Sequence, residues 1–167
     1  MKALPTRLRS LAALGCFLLI TFAAAAVGAW ASQASPAMYA TMEKPSWSPP
    51  AWLFGPVWSA LYLIMAVAVW RVWRKGPSPQ SKTAVRLYLT HLIFQALWSW
   101  LFFGIGRADA AMLDIIVLWL MIAAMIRAFH RCDRLASALL VPYLAWVSFA
   151  AALNAALWWL NGGALAR

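Results

Sequence analysis

Hydrophobic positions in this chain fall into long blocks separated by short basic stretches. Residues 10–42, 45–70, 87–106, 115–126 and 135–166 contain no Asp, Glu, Lys or Arg. All but the fourth reach the roughly 20 residues that span a hydrocarbon core. The blocks predict transmembrane helices at about 11–31, 52–72, 85–104, 110–129 and 135–159, the fourth with Asp114 in its first turns. Residues 1–167 thus read as a single membrane domain, an all-α compact bundle of five transmembrane helices with no soluble domain. The connection 32–50 is the longest and carries Pro45, Pro49 and Pro50. Prolines lock φ and forbid helix over much of such a stretch, so it reads as a stiff, lid-like connector, or else as a plain interfacial loop anchored by Trp47 and Trp52.

Composition supports the same reading: 65% hydrophobic and 11% charged residues are more apolar than a small water-soluble core can hide. Charge then suggests an orientation, because cytoplasmic loops collect Lys and Arg. Eleven of the basic residues (Lys2, Arg7, Arg9, Arg71, Arg74, Lys75, Lys82, Arg86, Arg127, Arg131 and Arg134) fall on one side, against Lys44, Arg107 and Arg167 on the other. The expectation is an N-terminus inside and a C-terminus outside. The net charge of +10 reads as topology and contact with the lipid bilayer, and no nucleic acid partner is expected. Residues 1–31 also match a cleavable signal peptide, with a basic start, an apolar run and alanines near 23–31. Cleavage would leave four helices.

Reactive side chains are scarce. Cys16 reads as a helix-buried thiol and Cys132 belongs to the fourth loop, so neither a disulfide nor a metal pair is implied. His91 and His130 lack carboxylate or thiol partners at ligand spacing, so no metal site is expected. Glycine-rich phosphate loops, nucleophile elbows and paired carboxylates are absent from the sequence, which leaves no ordinary catalytic constellation. Asp114 has a capping and pairing role open to it, and a proton-coupled one.

Tryptophan is the distinctive residue, with twelve in 167. Trp30, Trp70, Trp73, Trp158 and Trp159 lie near predicted helix ends, where aromatic belts form. Others share helix faces with polar residues. Trp58, Tyr62, Met65 and Val69 follow i, i+4, i+7, i+11; His91, Gln95, Trp98 and Phe102 repeat the spacing, and Tyr143, Trp146, Ala150 and Asn154 nearly do. Polar side chains are costly in lipid, so these faces turn inward. They either pack the helices through interhelical hydrogen bonds or line a pocket suited to a large planar apolar ligand.

In order along the chain stand EKPSWSPP (43–50), VWSALY (57–62), ALWS (96–99), FFG (102–104), LDI (113–115), LW (118–119), VPYLAWVSFA (141–150) and LN (153–154). From about residue 39 to 161 this pattern closely resembles the tryptophan-rich sensory protein, or TspO/MBR, family, which includes the translocator proteins once called peripheral-type benzodiazepine receptors. The resemblance implies a five-helix bundle, commonly a homodimer, that binds protoporphyrin IX, haem and certain synthetic ligands. It implies no required cofactor, porphyrin or haem entering as ligand. Carried over residue by residue, it implies a ligand site of Tyr39, Trp47, Pro49, Trp58, Tyr62, Trp98, Trp146 and Ala150. Some bacterial relatives degrade protoporphyrin in light through pocket tryptophans, and the matching positions are Trp58 and Trp146.

The departures matter too. Gln95 stands where the family usually has Asn and can re-aim a ligand contact, while His91 replaces a commoner Gln. His91 could offer a nitrogen to a tetrapyrrole or its metal, or be satisfied by a neighbouring helix. Tyr and Arg often follow the Leu-Asn pair in relatives, as a proposed cholesterol motif; the chain has neither after Leu153-Asn154, so no such site is expected. Three functions compete: a porphyrin-binding sensor or regulator of tetrapyrrole handling, a light-dependent porphyrin-degrading enzyme, and a transporter, the last disfavoured by the lack of an inverted repeat. A bacterial inner membrane is expected from uncleaved apolar helices, and an outer membrane from the precedent of some relatives.

Overall fold

The computed structural model describes residues 6–33 and 35–162, and no strand occurs among them. Five segments long and apolar enough to cross a membrane run Arg7–Ala31, Ala51–Arg74, Pro79–Gly104, Ala108–His130 and Arg134–Leu160. Lys2 and Arg167, two of the residues behind the expected orientation, lie outside the described residues.

The first span is α1 (Thr6–Ala31), followed by a short α2 (Ser35–Thr41) and, after a 3-10 turn at Ala51–Leu53, by α3 (Phe54–Arg74). Next come α4 (Pro79–Ser99), extended by a π turn at Trp100–Gly104, and α5 (Ala108–His130). The last span is divided into α6 (Arg134–Leu139) and α7 (Val141–Leu160).

Two of these divisions differ from the sequence expectation. The connection 32–50 contains α2, whose only proline, Pro36, stands in its first turn, where a missing N–H costs nothing. Its last carbonyls are met by the ammonium of Lys44, which donates to Tyr39 at 2.7 Å and Met42 at 3.0 Å. The stiff proline stretch is thus confined to residues 45–50. The second difference is the break at Leu140, which interrupts the predicted helix 135–159. Pro142 has no N–H for the Ala138 carbonyl, and its ring crowds that carbonyl, so the helix bends there.

Around the bundle, α1 lies against α3 and α4, α4 against α5, and α5 against α7. The ring closes mainly through α6 onto α3; α3 and α7 approach each other closely at few points. At the end carrying the start of α1, Met65, Val69 and Val72 of α3 are fully buried with Tyr88, Ile122, Met125, Phe129 and Tyr143. A smaller core at the other end holds Met42, Phe102, Ala108, Ala111, Leu153 and Leu157. Leu19, Ile93, Leu113 and Leu120 face outward, as lipid-covered positions should. Cys16 joins them: expected to be buried, it is exposed on the outer face of α1.

Asp114 also differs from the expected capping and pairing role. It is buried, but α5 starts at Ala108, so the carboxyl lies too deep to cap the helix, and its Oδ2 has no partner among the described residues. The carboxylate in the first turn is Asp109, which accepts from Nε and an Nη of Arg107, both at 2.7 Å.

The opposite end is stapled by Asp133. It caps α6 by accepting from the Ala136 N–H at 3.0 Å, and it pairs with Arg71 of α3 at 2.9 Å and Lys75 at 3.6 Å. Burial alone would raise its pKa, but the Ala136 N–H, Arg71 and Lys75 outweigh it and hold the carboxyl below the usual value of 3.8. A carboxylate with a depressed folded pKa stabilises at neutral pH and loses that contribution as pH falls through the lowered value. Asp133→Asn should therefore cost about 1–3 kcal/mol at neutral pH, and its deficit against wild type should shrink below roughly pH 4. Unfolding of the detergent-solubilised protein across pH checks this; a deficit constant down to acid would count against the staple.

Candidate functional site: an aromatic cleft between α3 and α7

α3 and α7 approach each other closely at few points, and aromatic rings fill the space between them. Phe54 and Trp58 stand one turn apart on α3, as Trp146 and Phe149 do on α7. Phe54 meets Trp146 with ring centroids 6.1 Å apart, and Trp146 meets Phe149 at 5.4 Å. Two residues of the first connection complete this row: Tyr39 packs edge-on against Phe54 at 5.8 Å, and Trp47 against Phe149 at 5.7 Å. Tyr39 also donates its hydroxyl to the Pro49 carbonyl at 3.1 Å, which folds the proline stretch back over α2. Trp47 remains 49% exposed, so the row opens outward at its mouth. Ala150 is half-buried, one turn beyond Trp146 on α7.

The connection is pinned as well as packed. Asn161, at the end of α7, accepts from the Glu43 N–H and donates to the Glu43 carbonyl, both at 3.0 Å.

Deeper in the bundle the rings meet polar partners. Trp58 stacks on Tyr62 at 5.7 Å and touches Tyr143 edge-on at 6.2 Å. Gln95 of α4 bridges the two tyrosines: its amide lies 3.2 Å from the Tyr62 hydroxyl and 2.5 Å from that of Tyr143. His91 lies one turn earlier, fully buried, with Nε2 at 3.2 Å from the Tyr143 hydroxyl and Nδ1 at 2.7 Å from the Tyr88 carbonyl. A carbonyl only accepts, so Nδ1 carries the proton and Nε2 of the neutral ring is an acceptor beside the Tyr143 hydroxyl. Tyr143 has one proton and cannot donate to both His91 and Gln95. The 2.5 Å contact is an O–H···O distance, so that proton goes to the Gln95 amide oxygen, the Gln95 NH2 donates to Tyr62, and the 3.2 Å approach to His91 is the weaker contact.

The sequence-derived residues therefore divide. Trp58, Tyr62 and Trp146 border the α3–α7 gap, while Tyr39, Trp47 and Pro49 build its mouth. Gln95 and His91 form a floor behind the rings, with Nδ1 of His91 engaged by the Tyr88 carbonyl and Nε2 beside the Tyr143 hydroxyl. Trp98 belongs to a separate group, stacking on Phe102 at 5.1 Å and donating Nε1 to Asn154 at 3.2 Å. Phe54, Tyr143 and Phe149 are not among the site residues expected from the sequence, although Phe54 precedes Trp58 by four positions and Phe149 follows Trp146 by three. That i−4 and i+3 spacing is the signal that could have found them.

Two donors of this region are left over among the described residues, Ser48 Oγ between Trp47 and Pro49 and Nε1 of Trp146. Nε1 of Trp146 is buried and has no hydrogen-bond partner among the described residues. Indole N–H groups are normally satisfied when buried, so an unmet one among packed rings is an exception in this seam.

Comparison with known proteins comes to the same region of the chain. The TspO/MBR family model matches residues 16–160. "Tryptophan-rich protein TspO" of Chlorobaculum tepidum is 42% identical over 127 residues, 74% of this chain and 78% of that protein. "Protein CrtK" of Rhodobacter capsulatus is 37% identical over 151 residues, 88% of this chain and 93% of that protein. "Tryptophan-rich sensory protein" of Cereibacter sphaeroides is 40% identical over 116 residues, 70% of this chain and 72% of that protein.

The floor predicts its own energetics. Gln95→Leu leaves the Tyr62 hydroxyl buried and unpaired and should destabilise the protein by about 1–2 kcal/mol, between the modest worth of interhelical bonds in lipid and the cost of an orphaned group. Adding Tyr62→Phe removes the orphan and should restore part of the loss. Thermal unfolding of both variants in one detergent checks this; no recovery in the double variant would contradict the bridging role.

Proposed function

The chain belongs to the TspO/MBR family, and from that premise we propose that it is a membrane porphyrin-binding protein acting as a sensor or regulator of tetrapyrrole handling. The observation that carries this reading is the seam of flat rings between α3 and α7, in which Nε1–H of Trp146 is buried without a partner among the described residues. A planar macrocycle offers faces that stack on Trp58 and Trp146 and carboxylates that can accept from an indole N–H. In this reading Tyr39, Trp47 and Pro49 close over the ligand, Tyr62 and Ala150 border it, and Gln95 and His91 set the floor. Trp98 acts from the α4 side by holding Asn154. The name of the Cereibacter sphaeroides relative supports the sensory role. Protoporphyrin IX and haem are the proposed ligands, and a homodimer is the proposed assembly.

A second reading shares the site. Trp58 and Trp146 face one gap from opposite helices, an arrangement that would let both exchange electrons with a porphyrin excited by light, and dioxygen would be the oxidant that consumes the ring. The proposed setting is a bacterial inner membrane with the N-terminus inside. The basic residues on the connection after α3 and in α6 should then be cytoplasmic, and reporter fusions after Lys75 and after Gly162 should report opposite sides. Fusions reporting one side for both would sink that orientation.

Titration of the purified protein with protoporphyrin IX in the dark, followed by tryptophan quenching, tests the binding. Wild type should saturate. Trp146→Phe, which keeps a ring and removes the N–H, should weaken binding about threefold to tenfold, the worth of one hydrogen bond. Absence of saturable quenching would sink the porphyrin assignment. Loss of porphyrin absorbance on illumination in wild type, and not in Trp58→Phe with Trp146→Phe, would favour the oxidative reading.

A further inference from the structure

At the end of the bundle opposite the aromatic cleft, α1, α3 and the start of α4 border an open cavity of about 1030 Å³. Five cations line it: Arg7 and Arg9 from α1, Arg74 from α3, and Lys82 and Arg86 from α4. The chain contains only four acidic residues to balance its charge. Asp133 alone lies at this end, and it is engaged by Arg71 and Lys75. Glu43 and Asp109 are at the far end, and Asp114 is buried inside the bundle. No carboxylate side chain among the described residues remains to neutralise the five cations of the cavity.

The cavity is built rather than incidental. Nε1 of Trp70 donates to the Ser10 carbonyl at 2.9 Å, joining α3 to α1 across its wall. The Arg74 guanidinium lies over the Trp70 ring, 4.6 Å from the centroid, which holds its charge at the rim. The connecting turn is set by Gly76, whose φ of 91° suits glycine, and by Ser81, which donates to the Gly76 carbonyl at 2.8 Å and shares a capping box with Ser78. Between the cations the walls are apolar, formed by Leu11, Trp70, Trp73 and Val85 on membrane-spanning helices.

We propose that this cavity binds an anionic phospholipid, its phosphodiester headgroup among the five cations and the first carbons of its acyl chains against Leu11, Trp70, Trp73 and Val85. A water-soluble phosphate compound would use the same cations but would have no use for apolar walls at the depth of the bilayer. Basic pockets between transmembrane helices suit anionic headgroups, and each Lys or Arg near a membrane surface contributes about a factor of five in binding.

The test uses the full chain in a neutral detergent. Phosphatidylglycerol, added to purified protein, should raise the thermal unfolding midpoint saturably, while phosphatidylcholine should not. Arg74→Gln with Lys82→Gln and Arg86→Gln should weaken that response about tenfold to a hundredfold. Arg127→Gln with Arg131→Gln and Arg134→Gln removes equal charge at the same end from residues that do not line the cavity and should change it about twofold at most. Equal loss in both variants would reduce the effect to general attraction and overturn the site. A saturable shift of the same size with inorganic pyrophosphate would assign the cations to a soluble ligand and overturn the lipid. If the cavity variant does not fold, native mass spectrometry of wild type decides: retained phosphatidylglycerol in preference to phosphatidylcholine supports the proposal, and equal retention refutes it.

Discussion

A polar side chain in hydrocarbon has no water to accept its hydrogen bonds, so it must find partners on another helix or stay out of the span. This constraint organises the bundle around α4. Tyr88 meets Thr21 of α1, His91 meets Tyr143 of α7, and Gln95 meets both Tyr62 of α3 and Tyr143. Asn154 of α7 continues the pattern, donating to the Ala108 carbonyl at the start of α5 and accepting from Trp98. Each bond is worth little by itself in lipid, where the unfolded helices also find partners. Their joint effect is on rotation: α4 can satisfy Tyr88, His91 and Gln95 together in one orientation only, because these residues occupy successive turns of a single face.

With α4 oriented, the cleft depends on the last span. Tyr143 must reach Gln95 and His91, which places the first turn of α7 deep in the bundle. Pro142, immediately before it, bends the chain away from α6, and α6 is bound to α3 through Asp133 and Arg71. One end of the α3–α7 pair is therefore clamped by an ion pair while the other is spaced by Phe54, Trp58, Trp146 and Phe149. Membrane helices that pack closely do so with small residues, so a seam made of indole and phenyl rings is better suited to parting around a ligand than to permanent contact.

The five spans and the family were legible in the sequence because both depend on local pattern: charge-free length for the spans, and a run of motifs in fixed order for the resemblance. The inward turn of His91, Gln95 and Asn154 was legible for the same reason, since the cost of a polar group in lipid does not depend on its neighbours' identity. What could not be read was pairing. For His91 the sequence leaves open a ligand contact or a partner on a neighbouring helix; the structure places the Tyr143 hydroxyl of α7 beside it, and no local signal names that residue. Cys16 belongs by sequence to an all-round apolar helix, and only the position of α1 at the edge of the bundle turns it outward. Asp114 depends on where α5 begins, and that is set by the π turn and Gly106 preceding it, a feature with no strong signature of its own.

Among the buried polar atoms without partners, the two on side chains inside the bundle then acquire different meanings, apart from Ser48 Oγ in the connection and Nε of Arg71 in its ion pair. Nε1 of Trp146 and Oδ2 of Asp114 are both buried without partners among the described residues. The indole lies in a row of rings whose contacts are mostly edge-on, with the loop held over them through Asn161. Asp114 is carried by α5, which is packed against α4 and α7, whereas the rings of the loop rest on α3 and α7. The proposed ligand site therefore rests on the unmet indole N–H, set in a seam of rings joined to a loop, and the Asp114 carboxyl, on a helix packed between two others, is no part of it.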